Sequence, residues 1–330
     1  MKLKLRVIAL AAFIPLVMAG CTATGSTGST GAEGSSYPKD CNTVKIIVGF
    51  SAGGTTDLTF RILADELSKE LGSDVQVIDR PGGGGITGIN QMLSAKADGC
   101  TLGHSSIPTH LQYLFPESPA DYTKDDFSFA GSFLIGPQAL VVASDSKFQS
   151  LDDLIEAGEG NGRLNAVADS PIGQDAIINA QFAEQAGLNV KQVVVDGSAE
   201  KVTALLSGQV DFANGSVGGI VSAVQSGQLR ALAVWSDERS AVLPDVPTAK
   251  ELGIDIVSST YFALSLPAAV PEDIRQKLED ALKTISAKKS FIEANAELGS
   301  ETAFLTGDEF SVVWDEMAST VEKLDFNSLG

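Results

Sequence analysis

Residues 49–57, Gly-Phe-Ser-Ala-Gly-Gly-Thr-Thr-Asp, stand between two segments of different periodicity. Before them, Val44-Lys45-Ile46-Ile47-Val48 is a β-branched run that reads as a strand. After them, Leu58, Ile62, Leu63, Leu67 and Leu71 recur at helical spacing and share one face. The stretch is therefore a tight turn from a strand into a helix. The first N–H groups of that helix have no partner within it, and the helix dipole adds partial positive charge there. Glycines let an anion come close to those amides. The run Phe50, Ser51, Ala52, Gly53, Gly54, Thr55, Thr56, Asp57 accordingly reads as a seat for a carboxylate. Thr55 or Thr56 is expected to cap the helix as well, and Asp57 to fix the loop through hydrogen bonds.

The strand–helix alternation continues. Val75–Ile78 is a strand, residues 79–85 a glycine-rich loop, Ile86–Lys96 a helix and Thr101–Ser105 a strand. A β-α-β-α-β order calls for a parallel sheet with right-handed crossovers, and ligands of such sheets sit beyond the carboxyl ends of the strands. The Phe50–Thr56 turn and the pair Ser105 and Ser106 occupy such ends. Gly82–Gly85 is followed by no Gly-Lys-Ser/Thr, so it reads as a structural turn rather than a phosphate loop. Ala139–Ala143 leads out of this series. After a short helix at Leu151–Ala157, a second series has strands at Leu164–Ala168, Gln192–Val195, Val210–Phe212 and Leu229–Trp235. Helices at Ala176–Ala186, Ser198–Leu206 and Ile220–Ser226 separate them. The turns of this second series are polar and small: Ser170, Ile172, Gly173, Gln174 and Asp175 before one helix, Asp196 and Gly197 before the next, and Asn214 and Gly215 at a strand end. They are the candidates for a second wall.

Tyr261–Leu266 is expected to cross back into the first series. Pro271-Glu272-Asp273 starts a helix, with proline and acidic residues in its first turn. Its buried face is Ile274, Leu278, Ala281, Leu282 and Ile285. A last helix starts at Thr306 and carries Phe310, Val313, Trp314, Met317 and Val321. The fold class is α/β in two lobes, each a mostly parallel sheet flanked by helices, with two crossing strands as a hinge. Lobe 1 is assigned residues 41–140 plus 258–330, and lobe 2 residues 141–257. Trp235 is placed near the connection between lobes.

The first 20 residues carry Lys2, Lys4 and Arg6 before an apolar stretch, Val7–Val17, too short for the roughly 20 residues of a membrane span. Val17-Met18-Ala19-Gly20-Cys21 resembles a bacterial lipobox, which makes Cys21 the lipidation site and residues 21–40 a flexible tether rich in Thr, Gly, Ser and Ala. An ordinary secretory signal is the alternative. Either way the mature chain is exported, to the outer face of the cytoplasmic membrane on the lipoprotein reading. Removing residues 1–20 takes three of the 23 basic side chains and none of the 42 acidic ones, leaving a net charge of −22. Such a surface argues against nucleic acid as partner. A site built of amides and hydroxyls still accepts an anion, because its local field decides.

Cys41 and Cys100 each precede a strand. If the first and third strands are neighbours, as is common in doubly wound sheets, both sit at the edge away from the ligand end and form a disulfide. Two free thiols are the alternative. No His or Cys cluster has ligand spacing, so no metal is expected, and no cofactor is implied.

Taken in order, VKIIVGFSAGGTTDLTFRILADELSKEL, IDRPGGGGITGINQM, ADGCTL, LLSGQVDFA, SGQLRALAVWS, RSAVLPDVPTAKELG and the Leu266–Pro271 turn resemble the solute-binding proteins of tripartite tricarboxylate transporters, the TctC or Bug proteins. The resemblance spans about residues 43 to 325. It implies a two-lobed periplasmic-binding fold of type II that closes on a citrate-like tricarboxylate or a dicarboxylate and delivers it to a two-component permease, acting as a monomer. It carries ligand contact to Phe50–Asp57, Ser105 and Ser106 in one lobe. In the other lobe it carries ligand contact to Ser170–Asp175, Asp196-Gly197 and Asn214-Gly215. The second-lobe turn departs from the common Gly-Thr/Ser-then-His pattern, and Pro171 removes one amide donor there. Cys100 stands where an aromatic is common.

Two other readings compete. Gly49-Phe50-Ser51-Ala52-Gly53 fits the G-x-S-x-G elbow of a serine hydrolase. That chemistry needs a base and an orienting acid. The chain has only His104 and His110, neither far downstream, and both read as structural. A ligand-presenting sensor subunit for a signalling receptor fits the same residues as a transport receptor.

Overall fold

The computed structural model describes residues 37–324 apart from 108, 116–117, 161, 171–172 and 196–197, and of 109, 198 and 199 the backbone alone. The export signal, Cys21, most of the tether, and the site candidates Ile172, Asp196 and Gly197 lie outside the described residues.

Strand β1 (Val44–Val48) is buried except at Lys45 and pairs in parallel with β2 (Val75–Asp79) on one side and β3 (Thr101–Ser105) on the other. Helix α1 (Thr55–Leu71) joins β1 to β2, and α2 (Ile86–Leu93) precedes β3. The opening unit is thus as the sequence implies, with two differences. Gly54, in extended conformation, is the N-cap of α1 and offers no side chain, so Thr55 is the first helical residue and neither threonine caps. The buried face of α1 is Phe60, Leu63, Ala64 and Leu67, while Leu58 is exposed. Phe60 turns the helix: its ring meets Phe133 edge-on at 5.4 Å and His104 at 5.0 Å. Aromatic burial of this kind outweighs that of one leucine at the helix start.

Strand β4 (Phe127–Ala143) is the long element of the molecule and serves both lobes. Its first half pairs antiparallel with β9 (Ser259–Pro267), which lies against β3, and with β10 (Glu301–Leu305). The lobe 1 order is β2-β1-β3-β9-β4-β10. The second half of β4 pairs antiparallel with β7 (Ala213–Ser216) and β8 (Leu229–Val234). A parallel pair, β5 (Leu164–Ala168) with β6 (Val190–Val194), joins them through an Ala166–Phe212 bridge. The sheets are therefore mixed: the βα series supplies parallel pairs and the crossing strands supply antiparallel ones. Only the last third of β4 was marked by the sequence, because nearly every residue of the strand is buried and no alternation shows.

Helices α3 (Leu151–Gly158), α4 (Gln174–Ala186), α5 (Ser198–Leu206) and α6 (Val217–Gln225) belong to the second series. Helices α7 (Glu272–Ser286), α8 (Lys289–Ala296) and α9 (Gly307–Val321) pack on lobe 1. Every residue of the expected α7 stripe is buried. The α9 start is a capping box, Thr306 with Glu309. The sequence reading did not anticipate β10 or α8.

Three backbone bonds tie the lobes where β4 and β9 pass between them. Gln138 N–H donates to Ser258 O (3.2 Å), Ser258 N–H to Trp235 O (2.7 Å) and Trp235 N–H to Gln138 O (2.8 Å). Trp235 is fully buried, near the connection as expected. At the other end of lobe 1, Cys41 and Cys100 form a disulfide with Cα atoms 5.4 Å apart. Cys100 O accepts the Lys45 N–H, so the neighbouring of β1 and β3 brings the two cysteines together.

Candidate functional site

A cavity of about 140 Å³ lies between the lobes. From lobe 1 it is lined by Phe50, Thr56, Ser106, Gln138 and Thr260, all uncharged. From lobe 2 come Asp169, Gln174, Asp175, Lys201, Gly215, Ser216 and Ile220. Of the residues singled out in the sequence, Phe50, Thr56, Ser106, Gln174, Asp175 and Gly215 meet here. Ser51, Ala52, Gly53 and Gly54 lie on the exposed turn, next to the cavity along the chain but not on its wall.

The turn is built to be rigid. Gly49 passes so close to α2 that a Cβ on it would stand 2.8 Å from Gly85 Cα, and one on Gly88 would stand 2.8 Å from Gly49 Cα. Gly53 takes φ +82°, where side chains other than glycine are strained. Its N–H donates to Asp57 Oδ2 at 2.7 Å. Asp57 is buried, and its other oxygen pairs with Arg61 Nε at 2.7 Å while Arg61 reaches Asp79 at 2.9 Å. Burial pushes the Asp57 carboxyl up, but Arg61 and the Gly53 amide outweigh it and hold the group below the usual carboxylate range. The Asp57 carboxylate thus holds the loop.

Ser105 and Ser106 end β3 over a buried histidine. His110 Nδ1–H donating to Ser106 O (3.0 Å) leaves Nε2 to accept from the Ser105 hydroxyl (3.3 Å). Burial pushes His110 down to about 4, and His104 well below its ordinary value, so both rings are neutral at pH 7. Neither is on the cavity wall.

In lobe 2, Asn214 spends its side chain internally: Oδ1 accepts from Trp235 Nε1 (2.7 Å) and Nδ2 donates to Asn179 Oδ1 (2.9 Å). Gly173 has no room for a Cβ, which would stand 2.1 Å from Asp169 Oδ1. Ser170 N–H donates to the same oxygen at 3.0 Å. These residues shape the wall. Gln174 bridges to lobe 1: its Oε1 accepts from the Thr260 hydroxyl (2.7 Å), which in turn accepts from Gln138 Nε2 (3.0 Å). The other end of the Gln174 amide, Nε2, is buried at the cavity with no hydrogen-bond partner. A buried donor left unsatisfied costs about 1–3 kcal/mol.

Three helices point their N-termini at this space. Thr56 is in the first turn of α1, Gln174 starts α4, and Ser216 caps α6 by accepting the Gly219 N–H at 3.2 Å. Each brings unpaired amides and partial positive charge. Asp175 and Lys201 form a buried ion pair on the same wall, and Lys201 Nζ also lies 3.3 Å from Asn214 O. Burial pushes Asp175 up to about 7, against the pull of Lys201. Lys201, Asp169, Gln138, Ser216, Ile220 and Thr260 were missed in the sequence. One sign was there for Lys201: it is a cation in the first turn of a helix, where acidic residues are favoured. Among the described residues, no group of three or more His, Cys, Asp or Glu is placed to hold a metal.

The lobes touch beside the cavity. A Cβ on Gly218, at the start of α6, would stand 1.8 Å from Leu298 O, and one on Gly299 would stand 2.7 Å from Gly218 N.

Two α/β lobes joined by crossing strands over a polar cleft define a periplasmic-type solute-binding receptor. The model of the tripartite tricarboxylate transporter family receptor, TctC, matches residues 59–318. A UPF0065 protein from the gbd 5′ region of Cupriavidus necator is 32% identical over 285 residues, covering 85% of this chain and 84% of that protein. BugT of Bordetella pertussis is 32% identical over 281 residues, covering 83% and 85%. Among solved structures, MatC from Rhodopseudomonas palustris with bound malate superposes with a TM-score of 0.75 at 24% identity, covering 87% of this chain and 99% of that one. A second R. palustris protein, with adipate, gives 0.76 at 22%, covering 84% and 97%. The chain belongs to the TctC or Bug family of solute-binding receptors. That family is not enzymatic, so the G-x-S-x-G elbow is a turn rather than a nucleophile. Among the described residues, no helix is long and apolar enough to cross a membrane.

Proposed function

We propose that this receptor captures a carboxylated organic anion, a dicarboxylate or citrate-like tricarboxylate, between its lobes and delivers it to a two-component membrane permease. The observation that carries the reading is the meeting of three helix N-termini and an unpartnered Gln174 Nε2 on one small cavity. Preorganised neutral donors in a site closed from water hold an anion without a full counter-charge, because the low dielectric strengthens each bond. The malate and adipate held by the two solved relatives are of this chemistry. The ligand docks on the turn at 50–56, lobe 2 closes with the 170–175 turn, and closure is favoured only by the extra contacts it gains. The lobes are taken as 41–140 with 258–330, and 141–257. The protein acts as a monomer, tethered by a lipid on Cys21.

A thermal-shift screen against malate, succinate, adipate, citrate, glutamate and benzoate tests the reading. At least one should raise the melting temperature by several degrees, with glucose and spermidine inert. A flat response to all six would sink it. Replacing Cys21→Ser should release the protein from membranes to the soluble exported fraction; unchanged membrane association would remove the anchor from the account.

A further inference from the structure

The cleft presents a charge problem. Lobe 1 contributes no charged side chain to its lining, whereas lobe 2 contributes Asp169, Asp175 and Lys201. With both aspartates ionised, these three sum to −1 where an anion is to bind. Asp175 sits in the first turn of α4 and faces Lys201 from α5 and the Asp169 carboxylate from the loop after β5, while Lys201 also donates to Asn214 O of β7. The groups that meet this trio from lobe 1 are neutral. Side-chain exposures of 3% for Asp175 and 15% for Lys201 leave little water to screen the trio.

We propose that Lys201 is the cation that fixes a carboxylate of the bound ligand, and that it passes from Asp175 to the ligand as Asp175 takes one proton from solvent. This inference rests on the carboxylate reading and adds a residue and a proton to it. The exchange balances: an anion and a proton enter, the Asp175 carboxylate becomes a carboxyl, and the ammonium changes partner. The trio then sums to zero before the ligand is counted. Asp175 is poised for this, since burial already pushes it up to about 7 against the pull of Lys201. An approaching anion raises it further, so proton uptake and capture favour each other. Asp169 remains as an acceptor on the same wall, suited to a ligand hydroxyl or ammonium.

The test is calorimetry from pH 6 to 9 with whichever of the six named carboxylates gives the largest thermal shift. Its dissociation constant should rise up to about tenfold per pH unit above pH 7 and flatten towards pH 6. Asp175→Asn should lose the slope and bind about tenfold tighter than wild type at pH 8. Lys201→Met should bind at least about 50-fold more weakly at pH 7, with Lys201→Arg restoring part of the loss. If Lys201→Met does not fold, Asp175→Asn carries the test. A ligand that binds equally at pH 6 and 9, or a folded Lys201→Met that binds as wild type, overturns the inference while leaving the carboxylate reading intact. If none of the six binds, the carboxylate reading falls and takes this inference with it.

Discussion

The two walls of the cleft are built differently. The lobe 1 wall is uncharged: Phe50 and Thr56 at the two ends of the glycine-rich turn, Ser106 over a buried neutral histidine, Gln138 and Thr260. The nearby Asp57 carboxylate holds its own loop by pairing with Gly53 N–H and Arg61. The lobe 2 wall carries two carboxylates and an ammonium in addition to its helix starts. A fixed array of amides binds any anion of the right size and is indifferent to pH. A charged trio with one group near neutrality discriminates and responds to pH. On the carboxylate reading proposed above, one wall is the general anion seat and the other the source of selectivity.

The contrast extends to stability and gives four ways to break or sharpen it. The largest effect belongs to lobe 1, which alone is stapled. Replacing both Cys41 and Cys100 with serine frees a loop spanned by 59 positions. Loop entropy puts the loss at about 4 kcal/mol, read by denaturant unfolding, with affinity unchanged. A loss of affinity would mean that the staple shapes the cleft.

Next comes pH. His110 in lobe 1 is depressed from 6.5 to about 4, so between those values the unfolded chain binds more protons than the folded one. Stability should fall as pH drops through that window, by up to about 3 kcal/mol from this group. Asp175 in lobe 2 works the other way. Its folded value of about 7 lies above 3.8, so the folded chain binds more protons in between. Its contribution weakens as pH rises through that range. Urea titrations of Asp175→Asn and wild type from pH 4 to 8 should diverge most at the alkaline end, with the variant the more stable.

Third, Gly53→Asp places a charge on the exposed turn where nothing lies within 4 Å of the new Cβ. Backbone strain at this φ costs about 1 kcal/mol. Carboxylate affinity by calorimetry should fall by about 100-fold, since a like charge faces the anion seat. Unchanged affinity would assign the seat to lobe 2 alone. Fourth, Gly218→Val meets Leu298 O and holds the lobes apart. Affinity should drop about tenfold, and small-angle scattering should show a larger radius with ligand than wild type has.

Lobe 1 was legible because its signals are local. One strand, one turn and one helix start lie within residues 44–71, and the spacing alone shows where amides collect. The disulfide was legible through topology, since neighbouring strands bring their preceding residues together. The face of α1 was misjudged because counting leucines ignores the pull of Phe60 on Phe133 and His104. Lobe 2 was harder. Asp175 and Lys201 are 26 positions apart on different helices, and their pairing appears only once α4 and α5 pack. Thr260 on β9 and Gln174 on α4, 86 positions apart, meet only where the two lobes come together. Asn214 looked like a ligand contact in the sequence, yet its amide serves Trp235 and Asn179.

The staple has a geometric consequence. Cys41 and Cys100 sit at the amino ends of β1 and β3, while the cleft opens beyond their carboxyl ends. Tyr37 lies at the same end as the cysteines, its carbonyl accepting from the Lys277 ammonium at 2.7 Å. The disulfide and this bond together fix the start of the described chain to the end of lobe 1 away from the cleft.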